Sequence, residues 1–174
     1  MKAKIISLFM MCALSCAANA QQDVEKGFFA EVDAGYSNLY NEKFAVISPS
    51  IGYQFNKRFL AGMRVGFETR RYGYTVYTPF VRYNYLPMAR CKLFAEAQAN
   101  IAQREVEGGQ ASYSEIGLAL GASLSLSRHI KMVGRYLFIG YSERDARKAP
   151  YMGNGDFLLD ANVTRLRLGL QAIF

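Results

Sequence analysis

The sequence predicts an all-β protein: an eight-stranded antiparallel up-and-down transmembrane β-barrel, preceded by a cleaved signal peptide. Three observations carry this reading. Beyond the N-terminus, apolar residues recur with a period of two, the period of a strand with one face toward an apolar phase. The repeating segments run to 11–16 residues, whereas an average globular strand has about 5–6 and a membrane-crossing strand needs about 9–11. The charges lie on the face opposite the apolar one, the reverse of a soluble ligand-binding barrel.

The bulk composition agrees. The length of 174 residues suits one domain. A charged fraction of 20% with 14% aromatic residues excludes a disordered chain. A mean hydropathy near zero excludes a bundle of membrane helices.

The N-terminus reads as a targeting segment. Lys2 and Lys4 precede an almost wholly apolar stretch over 5–18, and Ala18-Asn19-Ala20 places small residues before Gln21. That order is the pattern of a secretory signal. The expected division is therefore 1–20 signal peptide and 21–174 barrel. Removing Lys2 and Lys4 leaves 19 basic against 14 acidic residues, so the formal charge falls from +7 to +5. Cys12 and Cys16 leave as well. Cys91 then has no internal disulfide partner and reads as a small strand residue.

Strand one is expected at 27–37, with Glu31 and Asp33 inward. Strand two, at 43–55, turns Ala45, Ile47 and Ile51 outward. Strand three, at 59–69, places Arg64 and Glu68 inward against Val65 and Phe67 outward. Strand four, at 74–85, carries Arg82 inward and Val81 outward. Strand five, at 92–103, carries Glu96 inward with Leu93, Ala95, Ala97 and Ala99 outward. Strand six, at 111–126, opposes Glu115 to Ile116, Leu118 and Leu120. Strand seven, at 130–141, alternates weakly around an inward Arg135. Strand eight, at 160–174, is the clearest: Thr164, Leu166, Leu168, Leu170, Ala172 and Phe174 share one face, and Arg165 and Arg167 the other. Pro49 and Pro79 fall inside strands two and four. Proline cannot donate to a ladder, so bulges or wide spacing are expected there.

The connections are expected to alternate in length. Short turns would follow strands two, four and six, and loops strands one, three, five and seven. The longest loop, 142–159, holds Gly153-Asn154-Gly155 as a flexible tip. That alternation puts the turns in the periplasm and the loops outside. Aromatic residues gather near strand ends: Tyr53, Phe55, Phe59, Tyr83, Tyr85 and Phe174 at one end, Tyr36, Tyr40, Phe67, Tyr72, Tyr74 and Tyr77 at the other. Tyrosine favours the interface between lipid and water.

The inward charges number five acids (Glu31, Asp33, Glu68, Glu96 and Glu115) and five arginines (Arg64, Arg82, Arg135, Arg165 and Arg167). Charges in a narrow barrel are costly unless paired. Eight strands leave room for little beyond side chains. A charge-paired plug is the expected interior, and a narrow polar pore the alternative.

The order of signal, eight alternating strands and terminal Phe174 resembles the small bacterial outer-membrane β-barrels of the OmpA- and OmpX-like group. The ending Leu166-x-Leu168-x-Leu170-x-Ala172-x-Phe174 is similar to the C-terminal pattern of that class and departs from it at Ala172. The segment Gly52-Tyr53-Gln54-Phe55-Asn56-Lys57-Arg58-Phe59 also looks like outer-membrane barrels of the Bacteroidetes. The resemblance implies a location in the bacterial outer membrane. It also implies that Leu166, Leu168, Leu170 and Phe174 form the signal read by the barrel-assembly machinery. Outer-membrane lipid and lipopolysaccharide are the expected surroundings.

No catalytic constellation emerges, and no enzyme, cofactor or metal site is expected. His129 is the only histidine and falls in a turn near Ser125 and Ser127; enzymes of this class that trim lipid A use residues near the outer leaflet. Arg144, Arg147 and Lys148 in the longest loop are a candidate contact for anions such as lipopolysaccharide phosphates. No nucleic-acid partner is expected, because the arginines are assigned to the interior, and a monomer is expected. A lipid-modifying enzyme and a soluble secreted barrel are the remaining alternatives.

Overall fold

The computed structural model describes residues 26–39, 42–70, 73–87, 90–106, 109–150, 152–153 and 155–174. The expected signal segment 1–20, Tyr40, Tyr72 and the tip residue Asn154 lie outside them. Strands β1 (Gly27–Leu39), β2 (Glu42–Gln54), β3 (Phe59–Glu68), β4 (Thr75–Pro87), β5 (Cys91–Val106), β6 (Gly109–Ser125) and β7 (Ile130–Ser142) follow one another as antiparallel neighbours. The eighth stave consists of two strands, β8 (Asp156–Asp160) and β9 (Arg167–Ile173). β7 pairs with β8 through residues 138–142 and with β9 through residues 130–135. β9 then pairs with β1 from Phe29↔Ile173 to Gly35↔Arg167 and closes the barrel.

The broken eighth stave departs from the continuous strand expected over 160–174. A 3-10 turn at Val163–Arg165 interrupts it, started by the Asn162 side chain, which accepts a hydrogen bond from the Thr164 amide. Alternation could not show the break. Thr164 and Leu166 sit in phase with Leu168 in either conformation; only Val163, expected inward, turns out to solvent or lipid at 62% exposure.

Two bulges fall elsewhere than expected. The register of β2 on β3 keeps one offset from Val46↔Glu68 to Ser50↔Arg64, and that of β3 on β4 passes through Met63↔Pro79 unshifted. Pro49 and Pro79 therefore produce no bulge. The ladder merely skips two pairs on one side of each proline, where its missing N–H would have donated. The register shifts instead between Asn84 and Leu86 on β4 and opposite Leu120/Gly121 on β7, where Tyr85 and Tyr136 are the extra residues. On β7 the extra residue reverses the alternation. Lys131, Val133 and Arg135 are buried below it; Phe138 and Ser142 are buried above it. This explains the weak period of strand seven.

The connections also differ from expectation. The turns 55–58, 88–90 and 126–129 are short, but β1–β2 and β5–β6 are joined by only two residues, 40–41 and 107–108. Only the 143–155 connection is long. The termini of the barrel, Gly27 and Ile173, stand at the end that carries the three short turns; this is the turn end, and the other the loop end. Local chemistry fixes the turns. The Asn56 side chain accepts from the amides of Arg58 (2.8 Å) and Phe59 (2.9 Å), and the Ser127 hydroxyl accepts from the Ile130 amide.

The outer surface is apolar. Phe28, Ile47, Ile51, Phe67, Val81, Ile116, Leu168 and Leu170 are exposed. Inside, Phe29, Leu60, Phe80 and Ile173 form an apolar layer toward the turn end. Interior glycines make room for rings. A Cβ on Gly121 would meet the Phe94 ring at 2.5 Å, and one on Gly117 the Phe138 ring at 2.7 Å. At the loop end Tyr74, Val76 and Ala102 pack against Ala146, Ala149 and Met152 of the long connection. That connection folds over the mouth; Gly153, expected at a flexible tip, is buried. Tyr74, expected at the lipid interface, is buried under this cap at 6% exposure.

Candidate functional site

The strand register places six charged residues at mid-barrel: Glu31 and Asp33 on β1, Arg64 on β3, Arg82 on β4, Glu96 on β5 and Arg135 on β7. Each is at most 3% exposed. Glu96 stands at the centre. Its Oε1 accepts from Arg64 Nη2 at 2.9 Å and Arg135 Nε at 3.1 Å, and its Oε2 from Arg82 Nε at 2.8 Å. Glu31 accepts from Arg82 Nη2 at 3.1 Å and from Arg135 Nη2. Asp33 Oδ2 lies 3.1 Å from Arg64 Nε and accepts from Arg135 Nη1 at 3.2 Å. Three acids meet three arginines from five staves, so the layer is formally neutral. Planar guanidinium groups suit such multiple pairing, and they stack on the interior rings. Arg64 lies 4.5 Å from the Phe80 ring centre and Arg82 4.5 Å from that of Phe94.

Of the other four inward charges, Glu115, Arg165 and Glu68 have partners outside the six. Glu115 on β6 pairs with both terminal nitrogens of Arg165 at 2.8 Å each. Arg165 Nε also donates to Asp160 at 2.8 Å, and the Phe138 ring lies 4.6 Å from its guanidinium. Glu115 further accepts from Asn100 Nδ2 at 3.0 Å and from the Gly153 amide at 2.8 Å, and Thr78 donates to Asn100. The cap is thus tied to an interior carboxylate. Glu68 turns to Arg70, which follows β3 and donates from Nε at 2.8 Å. Arg70 lies over the Phe44 ring at 3.9 Å. Arg167 is buried and faces Arg135 across the β7–β9 ladder.

A cavity of about 20 Å³ lies where the β7–β9 ladder ends, lined by Arg135, Arg165, Arg167, Gln98 and Tyr136 among others. That is the room of one or two waters. The Tyr136 hydroxyl donates to the Ala161 carbonyl at 2.6 Å and spans the unpaired stretch of wall beside it.

The sequence did not single out Arg70, Asp160, Asn100 or Thr78. One signal was present: Phe80-x-Arg82 and Phe94-x-Glu96 put ring and charge on one strand face. Among the loop cations, Arg144 is exposed, Lys148 pairs with Asp145 at 3.4 Å, and the Arg147 side chain lies outside the described residues. Burial pushes the Tyr74 phenol under the cap up from its ordinary value, with nearby Tyr113 adding to the effect. His129 is exposed in its turn, and none of residues 55–58, 90 and 126–129 is acidic. Leu168, Leu170 and Phe174 all face outward, with Leu166 half-buried on the same side.

No protein family and no curated protein matches the sequence. Solved structures do. The N-terminal β-barrel domain of Pseudomonas aeruginosa OprF superposes with a TM-score of 0.60 at 11% identity, over 87% of this chain and 100% of that one. Neisserial surface protein A (NspA) superposes with a TM-score of 0.50 at 17% identity, again over 87% and 100%. The likeness is one of fold: a closed antiparallel barrel of eight staves, as in small outer-membrane β-barrel proteins.

Proposed function

We propose that the chain is an integral outer-membrane protein, exported by its N-terminal segment. Its barrel interior is charge-paired and closed, and it serves envelope structure or surface interaction through its loop end rather than catalysis. The observation that carries this reading is the inverted polarity: an apolar exterior around a neutral layer of three acids and three arginines. The apolar exterior argues against a soluble barrel, whose outer face is wet. The charged layer fills the lumen at its middle, and the cavity beside it holds no more than one or two waters. The fold shared with OprF and NspA supports the location.

In this reading the turn end faces the periplasm and the capped end the exterior, as the position of the chain ends and the single long connection favour. The outward row Leu166, Leu168, Leu170 and Phe174 presents the assembly signal during insertion. The protein is monomeric in outer-membrane lipid, with lipopolysaccharide around the loop end. Arg144, Arg147 and Lys148 are the groups there that meet its phosphates. Two measurements test the proposal. The mature chain is expected in the outer-membrane fraction, migrating on gels as a heat-modifiable band. It is expected to give no stable ohmic conductance in planar bilayers; a steady channel would replace the closed interior with a narrow pore.

A further inference from the structure

The two ends of the barrel differ in charge. At the turn end stand Lys26, Lys57, Arg58, Arg90 and Arg128, with Lys92 and Lys131 buried at the first positions inside the mouth. No acidic side chain accompanies them among the described residues of that end. Asp23 and Glu25, which precede Lys26 in the sequence, lie outside the described residues. The loop end is mixed: Glu68 pairs with Arg70, Lys148 with Asp145, and Glu143 caps the Ser114 amide.

The collar of cations lies just beyond a ring of apolar and aromatic side chains. Phe55, Phe59, Tyr85, Leu126, Ile130 and Phe174 are all exposed on the outer face at the strand ends. Aromatic girdles mark the boundary between hydrocarbon and headgroups. Residues one or two positions beyond it, such as Lys57, Arg58 and Arg128, therefore stand at headgroup depth. Lysine and arginine there attract anionic lipid, and the attraction grows with each added cation.

We propose that the turn end is a binding collar for anionic phospholipid headgroups of the leaflet it borders. Guanidinium and ammonium groups from all three turns grip the phosphates around the rim, and the girdle beneath holds the acyl chains. The inference rests on the reading of the chain as membrane-embedded, and it adds a lipid preference confined to one end.

The test uses the full mature chain reconstituted in phosphatidylcholine vesicles, with spin-labelled phosphatidylglycerol or phosphatidylcholine reporting association at the barrel surface. Phosphatidylglycerol is expected to associate several-fold more strongly, and the ratio to fall toward one in about 1 M salt, where the screening length is about 3 Å. The combined variant Lys57→Gln, Arg58→Gln, Arg90→Gln, Arg128→Gln is expected to lose the preference, while Arg144→Gln with Lys148→Gln keeps it. A ratio of one for the wild type overturns the proposal, and points to an acidic protein as the partner of this face. A preference retained by the fourfold variant, or lost in the loop-end control, overturns it as well. Should the fourfold variant not fold, the wild-type salt titration and Arg58→Gln alone decide. Flotation of the same vesicles separates the premises: a chain that does not insert defeats the membrane reading, and one that inserts without lipid preference defeats only this inference.

Discussion

The middle of the barrel and its loop-end mouth are both filled, but from different sources. The middle is filled by side chains that project from β1, β3, β4, β5 and β7, whose positions the ladder fixes. The mouth is filled by a folded connection, anchored through Glu115 and the packing of Ala146, Ala149 and Met152. The first arrangement can be lost only with the barrel itself. The second can open locally, because among the described residues few apolar contacts and one interior hydrogen bond hold it.

This contrast is open to test. Glu96→Ala is expected to have the largest effect. It leaves three buried guanidinium groups short of their shared acceptor, and breaking such a network costs about 3–5 kcal/mol. Urea unfolding in vesicles measures it; a cost below about 1 kcal/mol would show that pairing does not hold the middle. Gly121→Val comes next, at about 1–3 kcal/mol by the same assay, because its Cβ would fall 2.2 Å from the Gly134 carbonyl oxygen and overlap the Phe94 ring that supports Arg82.

Glu115→Gln should act on the mouth. It weakens the bidentate pair with Arg165 and the tie to Gly153, at about 1–2 kcal/mol. Limited trypsin digestion at Arg144 and Lys148 should quicken in this variant while the barrel stays protected. Equal acceleration in a variant at the middle would erase the distinction between the two regions. Tyr136→Phe should have the smallest effect, about 0.5–1.5 kcal/mol, since it removes only the bond to the Ala161 carbonyl. Faster amide exchange confined to residues near 136 and 161 would check it.

Most strands were legible in the sequence because outside and inside differ in polarity at every step. Ile116, Leu118 and Leu120 against Glu115, Gly117 and Ala119 admit one orientation only. What escaped involves residues for which polarity is silent. The turn at 163–165 keeps Arg165 inward and Leu166 on its expected side, so only Val163 departs from the alternating pattern. The cap uses two alanines and a methionine, too few to mark an apolar segment. The arginine–carboxylate pairings depend on which strands meet across the lumen. Glu31 and Arg135 are 104 positions apart, and spacing along the chain carries no trace of that. Glu68 was assigned to the wall arginines, yet Arg70, two residues away, reaches it first.

The bulge at Tyr136 has a consequence for how β7 tolerates change. The strand is written in two frames, odd positions inward up to Arg135 and even positions inward from Phe138, and one surplus residue joins them. Deleting that residue would leave the composition almost intact. It would also join the two frames without a bulge: Leu137 would follow Arg135 outward, and Phe138, Gly140 and Ser142 would keep their inward side. A second surplus residue at the same place would instead aim Phe138, Gly140 and Ser142 at lipid and Ile139 and Tyr141 inward, so β7 is open to shortening at its bulge and closed to lengthening there.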